Sequence, residues 1–177
     1  ACFLPENQLE ATIPPIVEYI KDNELNIPVF AAGGIWDKSD ITKFMDMGCS
    51  GVQMGTRFLA TNEADTSDTH KNLLLECSED DIKIGLSPVG YPSRRIITNL
   101  HKLMETGEAP KIKCISNCVT DCNHGEKAKE VGYCIADRLT DAYKGKLETG
   151  LFFTGSNGYR VDEIIPVKQL INKLVKG

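Results

Sequence analysis

The sequence lacks any long apolar run. None approaches the roughly 18 consecutive apolar residues that a membrane-spanning helix requires, and the chain does not open with a basic segment followed by an apolar stretch, as a signal peptide does. Its 20 lysines and arginines form no long basic block, and the formal net charge is −5. These absences argue against a membrane partner and against a nucleic-acid partner.

The chain also lacks the composition of a secreted disulfide scaffold. Its seven cysteines are an odd number spread over 177 residues, whereas disulfide scaffolds are short and rich in loops. We therefore expect a reducing, cytoplasmic location. With 41% hydrophobic and 25% charged residues, the composition is ordinary for a globular domain with a hydrophobic core.

An alternation of helix and strand is predicted for the first part of the chain. Residues 12–23 have apolar side chains at helical spacing, with Thr12 as a cap and the two prolines after it in the first turn. Residues 27–32 form a short, nearly unbroken apolar run, which predicts a strand buried on both faces of a parallel sheet. Residues 37–48 predict a second helix and residues 50–55 a second strand, which together give a βαβ pattern.

After Phe58 the pattern becomes mainly helical. Residues 81–86 predict a short strand, and residues 87–95 a connector rich in turns. Helices are predicted at 67–77, with Ser67 or Asp68 as the cap, at 96–107, at 128–144 and in the tail 166–177.

Both predicted strands of the βαβ unit end in glycine. Gly33 and Gly34 follow the first strand, and Gly55 follows the second, next to the hydroxyl of Thr56. Ligands of parallel α/β sheets bind at the carboxyl ends of the strands, and a phosphate is bound well by bare backbone N–H groups and a helix N-terminus, here that of the helix near residues 38–47. Glycines of this kind can also serve only to turn the chain. The repetition at two neighbouring strands favours a phosphate site, as is found after the last strands of (β/α)8 barrels.

Two stretches carry a resemblance to a known family. "IPVFAAGGI" (27–35) and "MGCSGVQMGTRFLATNE" (47–63) are similar to the last two strands of FMN-dependent (β/α)8-barrel enzymes. "GVQMGTRFLATNE" (51–63) resembles the nitronate monooxygenase family, formerly called 2-nitropropane dioxygenases, and also the related FMN-dependent enoyl-ACP reductases. "SPVGYPSRR" (87–95) and "GSNGYRVDEIIPVKQLINKLV" (155–175) resemble the C-terminal part of such enzymes.

The resemblance implies an α/β fold that is the C-terminal part of a TIM barrel. Residues 1–62 would supply the last two βα units, and residues 63–177 a mainly helical subdomain with a cysteine cluster. The implied cofactor is FMN, and the positions that match the family's phosphate-binding motifs are Gly33, Gly34, Gln53, Met54, Gly55 and Thr56.

The implied activity is the oxidation of nitronates or nitroalkanes, small-molecule substrates, with O2. The alternative is an enoyl-ACP reductase that takes electrons from NAD(P)H. A full barrel needs about 250 residues, and the family's Ala-Gly-Gly-His motif, which holds the proposed base, is not present. None of His70, His101 and His124 stands in that context, so no catalytic residue is assigned. We expect a C-terminal fragment, inactive alone, that pairs with the missing N-terminal half of the same protein or forms a homo-oligomer.

Four cysteines form a cluster that the flavin site does not explain. Cys114, Cys118, Cys122 and Cys134 are spaced C-x3-C-x3-C-x11-C. Four thiolates can hold zinc or an iron–sulfur cluster, but the spacing matches no common motif, and buried structural cysteines explain it equally well. The second alternative for function is therefore a metal-stabilised binding or assembly module without activity of its own.

Two polar loops could approach the ligand. Arg94 and Arg95 in the connector 87–95 could lie near an anionic group, although solvated arginines are the interpretation we favour. Residues 155–160 either cover the flavin or form a plain loop before the last helix.

Overall fold

Two parallel strands connected by a helix form the first part of the fold. β1 (Phe30–Ala32) pairs with β2 (Gly51–Gln53), with Phe30 opposite Gly51 and Ala32 opposite Gln53. α1 (Leu9–Asp22) precedes β1, and α2 (Lys38–Asp46) makes the crossover between the strands. The predicted βαβ unit is confirmed.

The computed structural model describes residues 9–86, 92–108 and 133–176. Short helix α3 (Thr56–Leu59) and helix α4 (Asp68–Glu76) follow β2, and a 3-10 turn at Glu79–Asp81 leads into an antiparallel hairpin. The remaining elements in chain order are β3 (Ile82–Leu86), β4 (Pro92–Ile96), α5 (Asn99–Glu105), α6 (Ile135–Tyr143), a second 3-10 turn (Gly158–Arg160) and α7 (Val167–Lys176). Nowhere in these ranges does a helix have the length and apolar character needed to cross a membrane.

The parallel pair is buried on one face only. The hydrophobic core beneath it consists of Ile13, Val17, Ala31, Ile35, Phe44 and Cys49. On the opposite face, Phe30 is 62% exposed, and Ile27, which precedes the strand, is 57% exposed. The prediction of a strand buried on both faces over 27–32 is therefore wrong for the described chain, because helices cover the sheet on one side alone.

The start of α1 also differs from the expectation. The helix already runs from Leu9, so Pro14 and Pro15 lie inside it instead of in its first turn. Both prolines face solvent, while Ile13 and Val17 face the core. The apolar spacing correctly predicted the helix. Its predicted beginning at Thr12, based on prolines in the first turn, is three residues too late.

The C-terminal part is built around the antiparallel hairpin of β3 and β4. Ile82 pairs with Ile96, and Ile84 pairs with Arg94. Residues 152–154 extend the sheet beside β4, since the Ile96 N–H donates to Phe152 O at 2.9 Å and the Thr154 N–H donates to Arg94 O at 3.3 Å. Residues 92–95 were predicted as a turn-rich connector and Ile96 as the beginning of a helix, and the structure corrects both.

The other helices follow the predicted apolar spacing with shifted ends. Ser67 caps α4 by accepting the His70 N–H, as predicted. The helix predicted from residue 96 begins only at Asn99, as α5. Of the helix predicted over 128–144, residues 128–132 lie outside the described residues, 133 and 134 are not helical, and α6 begins at Ile135. In α7, Leu170 and Leu174 are buried, as the spacing predicts, while Ile171 is 45% exposed.

Apolar contacts join the C-terminal part to the parallel strands. Trp36 packs with Ala60, Leu74, Ile96 and Val161 in one buried cluster. α7 packs against α2 through a second cluster, which includes Ile165, Leu170 and Leu174 with Ile41, Met54 and Phe58. The division of the chain at residues 62 and 63 stays a prediction.

Two buried histidines hold this part together. The ring of His70 contacts Phe152 edge-on at 5.3 Å, and its Nε2 donates to the carbonyl of Phe153 at 3.0 Å. The His101 ring, 6% exposed, accepts the Thr98 N–H at Nδ1. Burial, and secondarily the charge of Arg95, lowers the pKa of His101 to about 4.

The depressed pKa of His101 predicts a loss of stability in mild acid. In the unfolded chain this imidazole takes up a proton near pH 6.5, whereas the folded protein binds it only near pH 4. The unfolded state therefore binds more protons between these values, and stability falls as the pH is lowered through them, by about 3 kcal/mol for this group. Urea denaturation of wild type and His101→Gln over this range should show a shallower decline for the variant. Parallel declines would contradict the assignment.

Candidate functional site

A cleft of about 330 Å³ opens where β1 and β2 end. Its volume lies at the lower end of the range for small-molecule sites. The residues that line it are Ala32, Gly33, Gly34, Ile35, Trp36, Gln53, Met54, Gly55, Thr56, Leu59, Arg94, Phe153, Thr154, Gly155, Ser156 and Asn157. All six residues singled out from the sequence therefore lie around one cavity.

The first wall is the turn after β1. Gly33 has φ +113° and Gly34 has φ +70°, values that residues with a Cβ rarely adopt. Both glycines are exposed, so the turn presents backbone without side chains to the cleft. This wall requires glycine for its conformation as well as for close approach.

The N-terminus of α2 does not contribute to this wall. The Asp37 carboxylate caps the helix and accepts the N–H groups of Ser39 and Asp40 at 3.0 and 3.1 Å. The hydroxyl of Ser39 and the N–H of Asp40 hold the pKa of Asp37 below its ordinary value. The expectation that this helix end would face a phosphate is wrong, because a carboxylate already occupies it.

The second wall is the end of β2 with the residues that follow. Gln53 and Gly55 are exposed towards the cleft, and Gly55 has the ordinary φ of −106°. The side chain of Met54 packs against two apolar clusters, so we expect its backbone to face a ligand. The Thr56 hydroxyl accepts the N–H of Gly155 at 2.7 Å and retains its own proton for a further hydrogen bond.

The third wall is the loop 153–157, which comes from the far end of the chain. It is fastened to the second wall by the Gly155–Thr56 hydrogen bond and to the first wall by Asn157, whose Nδ2 donates to Gly34 O. From the sequence alone, residues 155–160 either cover the flavin or form a plain loop before the last helix. The sequence signal for a tight loop is the Ser-Asn pair at 156–157 with a glycine on each side. This signal does not indicate which distant residues the loop contacts.

Arg94 and Arg95 are not the solvated arginines favoured from the sequence. Arg94 is half-buried and lines the cleft. Arg95 is 7% exposed and donates to the hydroxyl of Tyr133 at 2.9 Å. Adjacent residues of a strand point to opposite faces, which sends one arginine to the cleft and the other into the interior.

Two cations lie close to the ring of an aromatic side chain that lines the cleft. The Arg57 and Arg160 guanidinium carbons lie 4.6 and 5.4 Å from the centre of the Trp36 ring. Arg160 also contacts the Asp37 carboxylate at 3.3 Å. These contacts hold the Trp36 side chain, which also packs in the buried apolar cluster described above.

No histidine of the described residues lines the cleft. His70 and His101 are buried elsewhere, and burial lowers the pKa of both. His124 lies outside the described residues. As in the sequence analysis, no catalytic base is assigned.

Most of the cysteine cluster also lies outside the described residues. Only Cys134 is described, and it immediately precedes α6. Within the described ranges there is no group of histidine, cysteine and acidic side chains that could hold a metal ion. The four-thiolate site stays a prediction.

Parallel strands that end in glycine at a shared cleft define a class of α/β ligand-binding enzyme folds. Within that class, the chain belongs to the nitronate monooxygenase family, whose family model matches residues 5–177. This is a family of oxidoreductases, and its members are flavoenzymes.

Individual relatives agree with this assignment. A probable nitronate monooxygenase of Staphylococcus saprophyticus is 34% identical over 109 residues, which cover 61% of this chain and 31% of the relative. One from Bacillus subtilis is 28% identical over 156 residues, which cover 85% and 40%. The structure of FabK from Thermotoga maritima superimposes with a TM-score of 0.72 at 28% identity, covering 98% of this chain and 49% of FabK. The chain thus spans less than half the length of these relatives.

Proposed function

We propose that this chain forms the phosphate-binding part of an FMN site in a flavin-dependent oxidoreductase. In this proposal the FMN phosphate lies between Gly33–Gly34 and Gln53–Thr56. The observation that carries it is the convergence of both glycine-ended strands on one cleft. The flavin would be the electron acceptor, and the residues of this chain would bind and orient the flavin.

The cleft fits a phosphate ester in its chemistry. A Cβ added at Gly33 or Gly55 would meet no atom within 4 Å, so free space adjoins both residues. Hydroxyl groups of Thr56 and Ser156 face the same space. None of the described lining residues is acidic, so no carboxylate opposes a phosphate there.

We further propose that β1 and β2 are the last two strands of a (β/α)8 barrel. The exposed apolar side chain of Phe30, on the sheet face that the helices leave uncovered, supports this, since the interior of such a barrel is filled by apolar side chains. In the complete enzyme, further strands would cover this face and bring the catalytic base. The described residues provide no base at the cleft, so their part in the reaction is to fix the cofactor.

The reaction we propose is the oxidation of nitronates or nitroalkanes with O2. The second candidate is an enoyl-ACP reductase, since the related FMN-dependent enoyl-ACP reductases carry a stretch very similar to residues 51–63. In the complete enzyme, oxygen uptake with a nitroalkane would support the first reaction. Consumption of NAD(P)H with an enoyl thioester and no oxygen uptake would support the second.

FMN binding by the chain itself is the direct test. Purified chain should quench the fluorescence of added FMN in a saturable manner, while the chain unfolded in urea should not. Saturable binding is expected because the described walls already converge on the cleft without any further segment. If the folded chain leaves FMN fluorescence unchanged, the proposed phosphate site is incorrect.

A further inference from the structure

The position of Arg94 on the hairpin aims it towards the cleft. Arg94 pairs with Ile84, and Ile82 pairs with Ile96 two residues away, so these four side chains share one face of the hairpin. Ile96 packs with Trp36, which lines the cleft. Arg94 therefore belongs to the face that meets the cleft.

Arg94 is also the only ionised side chain among the described residues that line the cleft. Within the described chain its guanidinium has no hydrogen-bond or ion-pair partner. The other arginines have fixed surroundings: Arg95 is bonded to Tyr133, Arg138 to Asp141, Arg160 to Asp37, and Arg57 is stacked on Trp36. A half-buried cation beside a cavity without acidic residues is suited to an anionic ligand.

We propose that Arg94 binds the phosphate monoester of the flavin and makes the cleft select FMN over riboflavin. The proposal rests on the proposed function and adds a residue that the glycine motifs do not contain. A planar guanidinium can donate two parallel hydrogen bonds to a dianionic phosphate. The backbone groups of Gly33, Gly34 and Gly55 with the Thr56 hydroxyl would hold the remaining oxygens.

A phosphate fits this arrangement better than a substrate anion does. The groups around Arg94 are hydroxyls and bare backbone on three walls, which together can surround a tetrahedral anion. A planar nitronate or carboxylate would engage only one or two of these walls. The guanidinium would thus complete a phosphate cage whose other members come from distant parts of the chain.

The test compares Arg94→Gln, Arg94→Lys and a matched control in titrations with FMN and riboflavin. Lys83→Gln is the control, because this substitution removes the same charge from the opposite face of the same hairpin. The Lys83 side chain is 57% exposed. Arg94→Gln should weaken FMN binding about 10- to 100-fold, the effect of a lost charge-assisted hydrogen bond, and leave riboflavin binding unchanged. Arg94→Lys should bind FMN with intermediate affinity. The control should bind both as wild type does.

Amide and guanidinium NMR signals separate failure of this proposal from failure of the proposed function. In ¹⁵N-labelled wild type, FMN should shift the signals of Gly33, Gly55 and Arg94 Nε, and riboflavin should leave Arg94 Nε in place. If FMN shifts the glycine signals but not Arg94, or if Arg94→Gln binds FMN as tightly as wild type, Arg94 is not a phosphate ligand while the flavin site stands. If FMN shifts none of them, the flavin site and this proposal both fail.

Discussion

Gly55→Ala is expected to remove most FMN affinity while leaving the fold intact. Gly55 has φ −106°, which alanine adopts readily, and an added Cβ would meet no protein atom within 4 Å. The added methyl group would instead occupy space beside the cleft, where the phosphate must approach the backbone. Displacing the phosphate from two charge-assisted hydrogen bonds should weaken binding about 100-fold or more.

The matched control for Gly55→Ala is Gly107→Ala. Gly107 follows α5, has φ +75° and also has open space at its Cβ position, but it lies outside the cleft. The left-handed backbone should make Gly107→Ala the less stable variant, by about 1 kcal/mol, with FMN affinity unchanged. Fluorescence titration and urea denaturation of both variants measure the two effects separately. An alanine at position 55 that binds FMN like wild type would show that the phosphate does not approach this residue.

The two glycine corners could be predicted because their signals are local. An apolar run that ends in glycine, and a helical pattern between two such runs, specify the parallel unit within 29 residues of sequence, from Ile27 to Gly55. The N-cap at Ser67 and the buried face of α7 are equally local signals. Patterns of this length are sufficient because backbone conformation and hydrophobic burial agree there.

The third wall could not be predicted because its contacts are distant in sequence. Thr56 meets Gly155 across 99 positions, and Gly34 meets Asn157 across 123. β4 was missed for a related reason: "PSRRI" has two adjacent charges and no apolar alternation, and it becomes a strand by pairing with β3 and with residues 152–154. Tertiary pairing here overrides weak local preference.

The same reasoning explains the misjudged arginines. Charged residues next to turn-forming residues are normally solvated, and the sequence contains no feature that distinguishes Arg94 from Arg95. Only the strand alternation, once β4 is known, places one in the cleft and the other against Tyr133. The sequence therefore predicts the two glycine walls of this cleft, but not Arg94 or the loop 153–157, which nonlocal contacts bring to it.

Phe152→Ala is expected to be the most destabilising single change in the described chain, at about 3–5 kcal/mol. Phe152 is completely buried, and its ring meets His70 edge-on. The hydrogen bond from the Ile96 N–H to its carbonyl begins the pairing of residues 152–154 with β4. Truncation would leave a cavity at the junction of α4, the hairpin and the third wall of the cleft.

Phe30→Ala provides the matched control, because the same atoms are removed from a side chain that is 62% exposed. Its cost should stay below about 1 kcal/mol, and Phe152→Leu, which keeps most of the volume, should cost less than about 1.5 kcal/mol. Urea denaturation of the three variants gives the free energies of unfolding. Since loop 153–157 follows directly, Phe152→Ala should also weaken FMN binding, which Phe30→Ala should not. Equal destabilisation by Phe152→Ala and Phe30→Ala would mean that the third wall is not anchored by this side chain.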